Sequence, residues 1–255
     1  MKRFTTGLMI AGAMLAFTPA RGWTQNTTAG GAVRDQHIGQ QLTSFLDSTT
    51  SERWYLYQVR SGRSYCVEVG AYEFETNTSG HIADPVVTVY QSNATTVIGT
   101  SDDTAQEPDS YRGSRVCFIN NQTLIYVKVT PFSSTTGHYY TLRFVETSLW
   151  ASWFFVGGDY NSFVLLRNTT SETVSYSINW RNAAGTITGT TSGTVPPNGA
   201  LGLNGRSFVN PAINFNGTVE IYHSGSPEAL VGQVTSLSAT TGLGYDSALF
   251  QRKVW

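Results

Sequence analysis

Charge is scarce in this 255-residue chain: 16 Lys and Arg against 17 Asp and Glu, or 13% of all residues, about half the ~25% usual for soluble domains. The net charge is −1, and no basic stripe of the kind that neutralises a phosphate backbone occurs, so nucleic acid is excluded as a partner. No run approaches the ~20 apolar residues needed to span a bilayer, and no transmembrane segment is expected. No segment sustains a 3.6-residue apolar period, which excludes a helical bundle. The sequence also lacks G-x-S-x-G, H-E-x-x-H, a phosphate-cradling loop and any Cys/His set with zinc spacing. Its four histidines, His37, His81, His138 and His223, are scattered. Carboxylates that could pair for glycoside hydrolysis, such as Glu68, Glu73 and Glu75, are no more than any chain of this size offers. The chain is expected not to be an enzyme.

Cysteine is nearly absent, and its context gives the two copies meaning. Met1, Lys2 and Arg3 followed by the apolar stretch 7–17 read as an export signal. Small residues at Ala20 and Gly22 place the cut after residue 22, with a second option at Ala20. No cysteine follows the apolar stretch, which argues against a lipid anchor. In an exported chain Cys66 and Cys117 are expected to pair. Closing that loop of about 50 residues would contribute roughly 4 kcal/mol in the chain-entropy model.

Abundant instead are 25 glycines, 13% aromatics and polar faces of Thr, Ser, Asn and Gln. These suit β structure. Runs rich in β-branched and aromatic residues, 53–59, 64–70, 85–90, 115–119, 124–130 and 138–146, are separated by turn residues at sandwich-like spacing. Tyr65, Val67 and Val69 share one face, as do Ile125, Val127 and Val129, and Tyr140, Leu142 and Phe144. A second set follows at 162–167, 173–181, 185–195, 200–204, 217–223 and 229–236. Turns at Asn182-Ala183-Ala184-Gly185 and Pro196-Pro197-Asn198-Gly199 punctuate it. The expected organisation is all-β: a signal peptide at 1–22, a flexible lead-in at 23–50, and two β-sandwich domains in tandem at 51–147 and 148–255.

RWYLYQVRSG from Arg53, DPVVTVY from Asp84, the SDD at Ser101 to Asp103 and YVKVTPFSSTTGHYYTLRF from Tyr126 together resemble the bacterial pre-peptidase C-terminal domain family. This family comprises jelly-roll-like β-sandwiches appended to secreted proteases and other exported proteins. The cysteine pair departs from that family's pattern. The second module resembles a generic immunoglobulin-like secreted domain.

Three groups of side chains are candidate sites. Asp84, Asp102, Asp103 and Asp109 are loop carboxylates of the type an oxygen-ligated calcium requires, although no EF-hand spacing is present. Calcium is the one cofactor expected. Neighbours in a strand face opposite ways, so Trp54, Tyr55 and Tyr57 cannot share a face. Trp54, Tyr57 and Tyr139 are the candidate ligand-binding aromatics. Trp150, Trp153 and Phe154, in the apolar seam between the two strand sets, are expected to pack between the modules. The reading is a non-catalytic binding or adhesion protein that is secreted, periplasmic or on the cell surface, with an extracellular protein or carbohydrate as partner. The alternatives are a self-assembling structural subunit and an accessory domain of a secreted enzyme system.

Overall fold

A computed structural model describes residues 27–34, 37–46, 52–71, 84–103, 113–132, 138–209 and 214–251. The expected export signal and Asp109 lie outside these residues. The first module contains β1 (Gln41–Leu46), β2 (Arg53–Gln58), β3 (Arg63–Ala71), β4 (Pro85–Tyr90), β5 (Val97–Ser101), β6 (Ser114–Asn120), β7 (Leu124–Pro131) and β8 (His138–Glu146). The second contains β9 (Leu149–Val156), β10 (Tyr160–Asn168), β11 (Val174–Asn182), β12 (Ile187–Val195), β13 (Ala200–Asn204), β14 (Phe215–His223), β15 (Leu230–Ser238), β16 (Gly244–Ala248) and β17 (Phe250–Gln251).

Each module is two antiparallel sheets around its own core. In the first they run β1-β8-β3-β6 and β2-β7-β4-β5, and in the second β13-β10-β15-β16 and β12-β11-β14-β9-β17. The two-residue period read from the sequence decides what lies inside. Tyr65, Val67 and Val69 meet Tyr140, Leu142 and Phe144 on one inner face, opposite Ile125, Val127 and Val129, and all nine are buried. In the second module Phe154, Val156, Ile178, Trp180, Val219 and Ile221 face Val164, Leu166, Leu230 and Val234. The two expected turns form, with backbone hydrogen bonds from Gly185 to Asn182 and from Gly199 to Pro196. Gly185 and Asn198 take the positive φ that these turns require, 83° and 52°.

Part of the stretch 23–50 expected to be a flexible lead-in is ordered strand. Gln41–Leu46 is a strand that pairs along its whole length with β8. Ser44 and Leu46 are buried, and half-buried Leu42 shares their face. Val33 also bridges to Tyr55. Covering the exposed flank of β8 outweighs the small, polar composition that surrounds β1. The apolar seam is likewise a full strand, β9, rather than a connector.

Tyr57 is not a ligand-binding aromatic: it is 1% exposed, with its ring 4.4 Å from that of Phe144. Register puts it on the inner face with Tyr55. Its hydroxyl is buried with no hydrogen-bond partner among the described residues, a desolvation that pushes its pKa up. Removing such a hydroxyl while keeping the ring removes an uncompensated polar group. Tyr57→Phe is therefore expected to stabilise the chain by about 1 kcal/mol, read as a higher urea midpoint; a lower midpoint would contradict the assignment.

Candidate functional site

The carboxylate group forms at one end of the first module because β4 and β5 pair. Asp84 stands just before β4 and Asp102 and Asp103 just after β5, with Val87 opposite Ser101. One carboxylate oxygen from each of the three lies within 4.8 Å of the others. Asp103 adopts a φ of 52°, which aspartate tolerates better than most residues. Slight burial, then the charges of Asp103 and Asp84, raise the pKa of Asp102, as like charges gathered at one place must.

The other ionisable side chains of the strands are largely engaged with one another. Glu68 accepts from Arg115 at 3.0 Å and Arg143 at 2.5 Å. Glu220 pairs with Arg181 at 2.8 Å and accepts from the Tyr222 hydroxyl. Glu73, Glu75 and His81 lie outside the described residues. His37 is exposed, whereas His223 is fully buried.

The modules meet through two buried linker residues, Thr147 and Ser148, 1% and 0% exposed. The Thr147 N–H donates to the Ser64 carbonyl at 2.8 Å, and the Ser64 N–H donates to Ser148 Oγ at 3.1 Å. Arg63 pairs with Glu146 at 2.6 Å and lies 4.9 Å from the centre of the Trp150 ring, a cation–π contact across the junction. Gln251 donates to the Glu146 carbonyl. Cys66 and Cys117 are bonded and directly opposed on β3 and β6. Cys66 Sγ lies 3.3 Å from the Gly225 carbonyl oxygen. His223 sits in the same place, facing the backbone of Thr147 and Gly225. Neither Arg63 nor His223 could be assigned here from sequence, because both reach the junction through strand pairing remote from the linker.

Of the three seam aromatics, Trp150 does lie at the junction. Phe154 and Trp153 do not pack between the modules. Phe154 is fully buried in the second core, edge-on to Trp180 at 5.0 Å. Trp153 is 41% exposed and rests on Tyr245 and Phe155 of its own module. The cause is a β-bulge. Between paired positions Ala151↔Val219 and Phe154↔Gly217, β9 has two residues and β14 has one, which reverses the facing of all later residues. On its other side β14 runs tight against β11 at Gly217, where a Cβ would fall 1.7 Å from the Arg181 carbonyl oxygen.

Among the ligand-binding candidates, Tyr139 faces solvent, 48% exposed beside Phe45 at 4.7 Å. Trp54 points outward, as strand parity requires, but its own sheet covers it. Tyr90 packs on it at 5.1 Å, Lys128 Nζ lies 5.6 Å from its ring centre, and its Nε1 donates to Glu52.

Burial lowers the pKa of His223 to about 4, against an ordinary value of about 6.5. The folded state favours the neutral ring, so between those values the unfolded chain binds a proton that the native chain refuses. The resulting stability is fully present above about pH 6.5 and is lost as pH falls toward 4. Its size is roughly 3 kcal/mol, at 1.36 kcal/mol per pKa unit. The thermal midpoint is expected to fall across that window, and His223→Phe to flatten much of the slope; an unchanged slope would assign it to other groups.

No protein-family profile matches the chain, and no curated protein matches it. Among solved structures it is similar to the pre-peptidase C-terminal domain of a collagenase from Bacillus anthracis, at 11% identity and a TM-score of 0.35, over 44% of this chain and 93% of that one. It is also similar to a β-glucuronidase from Bacteroides uniformis, at 12% identity and a TM-score of 0.22, over 78% of this chain. A calcium-binding mutant of Bacteroides uniformis β-glucuronidase 2 matches at 13% identity and a TM-score of 0.21. The chain spans about a quarter of the glucuronidases' length, 26% and 27%. Likenesses this distant carry nothing about activity.

Proposed function

We propose that the chain is a non-catalytic, exported binding or adhesion protein with an extracellular protein or carbohydrate as partner. The observation that supports this reading is the outer face of the β13-β10-β15-β16 sheet. Leu165 and Val231 are 40% and 43% exposed, and they lie on adjacent strands whose register puts Arg167 beside Val231 and Leu165 beside Gln233. Opposite Arg167 and Leu165 on the other side stand Ala200 and Gly202. These two small residues leave a shallow trough of about 450 Å³. Each sandwich already has a filled core, so these side chains are surplus to folding, and a grouped apolar surface marks an interaction site. Export is supported by the Cys66–Cys117 bond, since such bonds persist in oxidising compartments. Calcium belongs to the same reading as a stabiliser of the first module, at Asp84, Asp102 and Asp103, where it would neutralise three gathered carboxylates.

Two measurements test this. The double variant Leu165→Lys, Val231→Lys is expected to keep the wild-type thermal midpoint and to lose adhesion by roughly tenfold on immobilised matrix proteins and polysaccharides. Adhesion equal to wild type, or none by the wild type, sinks the reading. Millimolar calcium is expected to raise the thermal midpoint relative to chelator, with the rise absent in Asp102→Asn. No rise removes calcium from the proposal and leaves adhesion standing.

A further inference from the structure

The bulge in β9 does more than redirect a core residue. Leu149 and Ala151 are buried, and uninterrupted alternation would turn position 153 inward after them. Two residues, Ser152 and Trp153, stand instead opposite the single Thr218. Phe154 takes the core position and a tryptophan is delivered to the surface, against the usual gain from burying so large an apolar side chain. Bulges recur where a strand must re-aim a side chain for use.

The indole is held in place. The Tyr245 ring lies 4.4 Å from it, and the Phe155 ring lies 6.2 Å away and within 16° of parallel. Phe155 is fixed in turn, because its N–H donates to Ser162 Oγ and its carbonyl accepts from that hydroxyl, at 3.1 Å and 2.6 Å. It also meets Tyr160 edge-on at 5.9 Å. Next to Trp153, the Ser152 and Ser247 hydroxyls are 3.2 Å apart in an exposed position. Asp246 accepts from Thr235 on the other face of β16. Among the described residues, the side chains that meet or flank the indole in these contacts are uncharged: two aromatic rings and two hydroxyls.

We propose that Trp153, backed by Tyr245 and Phe155 and flanked by Ser152 and Ser247, is a platform for a neutral glycan. The exposed part of the indole offers a rigid apolar surface to the C–H face of a pyranose ring, at little entropic cost because the ring is already ordered. The serine hydroxyls donate to and accept from the sugar hydroxyls at its edge. An ionic ligand would meet no opposite charge there, whereas a neutral sugar needs none. This site is separate from the apolar face of the β13-β10-β15-β16 sheet, and it rests on the reading of the chain as a binding protein.

The test is isothermal titration calorimetry of the full chain with cello-, chito-, laminari-, xylo- and mannohexaose. At least one hexaose is expected to bind the wild type. Trp153→Ala should weaken it by roughly tenfold or more and Trp153→Tyr by no more than about threefold, with thermal midpoints showing both variants folded. Ser247→Glu leaves the ring in place and adds charge beside it, so it should weaken binding even if Trp153→Ala proves unstable. Binding of none of the five by the wild type, or equal binding by the folded Trp153→Ala and Ser247→Glu variants, overturns the platform. Sugar binding lost only in Leu165→Lys, Val231→Lys overturns it too, while leaving the chain a binding protein.

Discussion

Three of the four residues that open β3 hold the two halves of this molecule together, and each does so in a different way. Arg63 reaches Glu146 and the Trp150 ring. Ser64 uses its backbone carbonyl and N–H on the linker at Thr147 and Ser148. Tyr65 turns inward and stacks on Phe144, ring centres 5.3 Å apart. Cys66 turns outward again, bonds Cys117 and meets the Gly225 carbonyl. Alternation along one strand therefore couples the interior of the first sandwich to the surface of the second. Because the linker residues are buried and hydrogen-bonded, they act as part of both modules rather than as a tether.

The fold was legible where side-chain alternation was uninterrupted and local. The rows at Tyr65, Ile125 and Tyr140 name inner faces, and nothing distant had to be known to read them. Failures came where a partner strand decided the outcome. Gln41–Leu46 looks like lead-in because only β8 makes it a strand. Phe154 and Trp153 look like junction residues until β9 is paired with β14, because the bulge that sets their facing exists only against Thr218 of that distant strand. For Trp54 and Tyr57, parity required that they face opposite ways, but which faced the core, and that Tyr90 and Lys128 would cover the outward one, depended on sheet order. The SDD sequence did meet Asp84, since the β4–β5 pairing brings strand start and strand end together.

Low charge content shapes the surface that remains. Glu68, Glu146 and Glu220 are paired with arginines within the fold, so few ionic groups of the described strands are left to face a partner. The outward positions of β12 show the result: Thr188, Thr190, Ser192 and Thr194 alternate with inward Gly189, Thr191 and Gly193 opposite Trp180, Ile178 and Tyr176. Contacts made through such surfaces depend on shape, apolar area and hydroxyl hydrogen bonds, and ionic strength has little purchase on them.

The position of the Cys66–Cys117 bond gives its two ends unequal access to solvent. It joins two strands already adjacent in one sheet, so the thiols come together as soon as β3 and β6 pair, and nothing from the second module is needed to align them. Yet Cys66 is fully buried, and Gly225, which follows β14, lies against its sulfur. Cys117, at the other end of the bond, is only half-buried. Docking therefore covers the Cys66 end and leaves the other, so exchange with a thiol is favoured at Cys117 over Cys66.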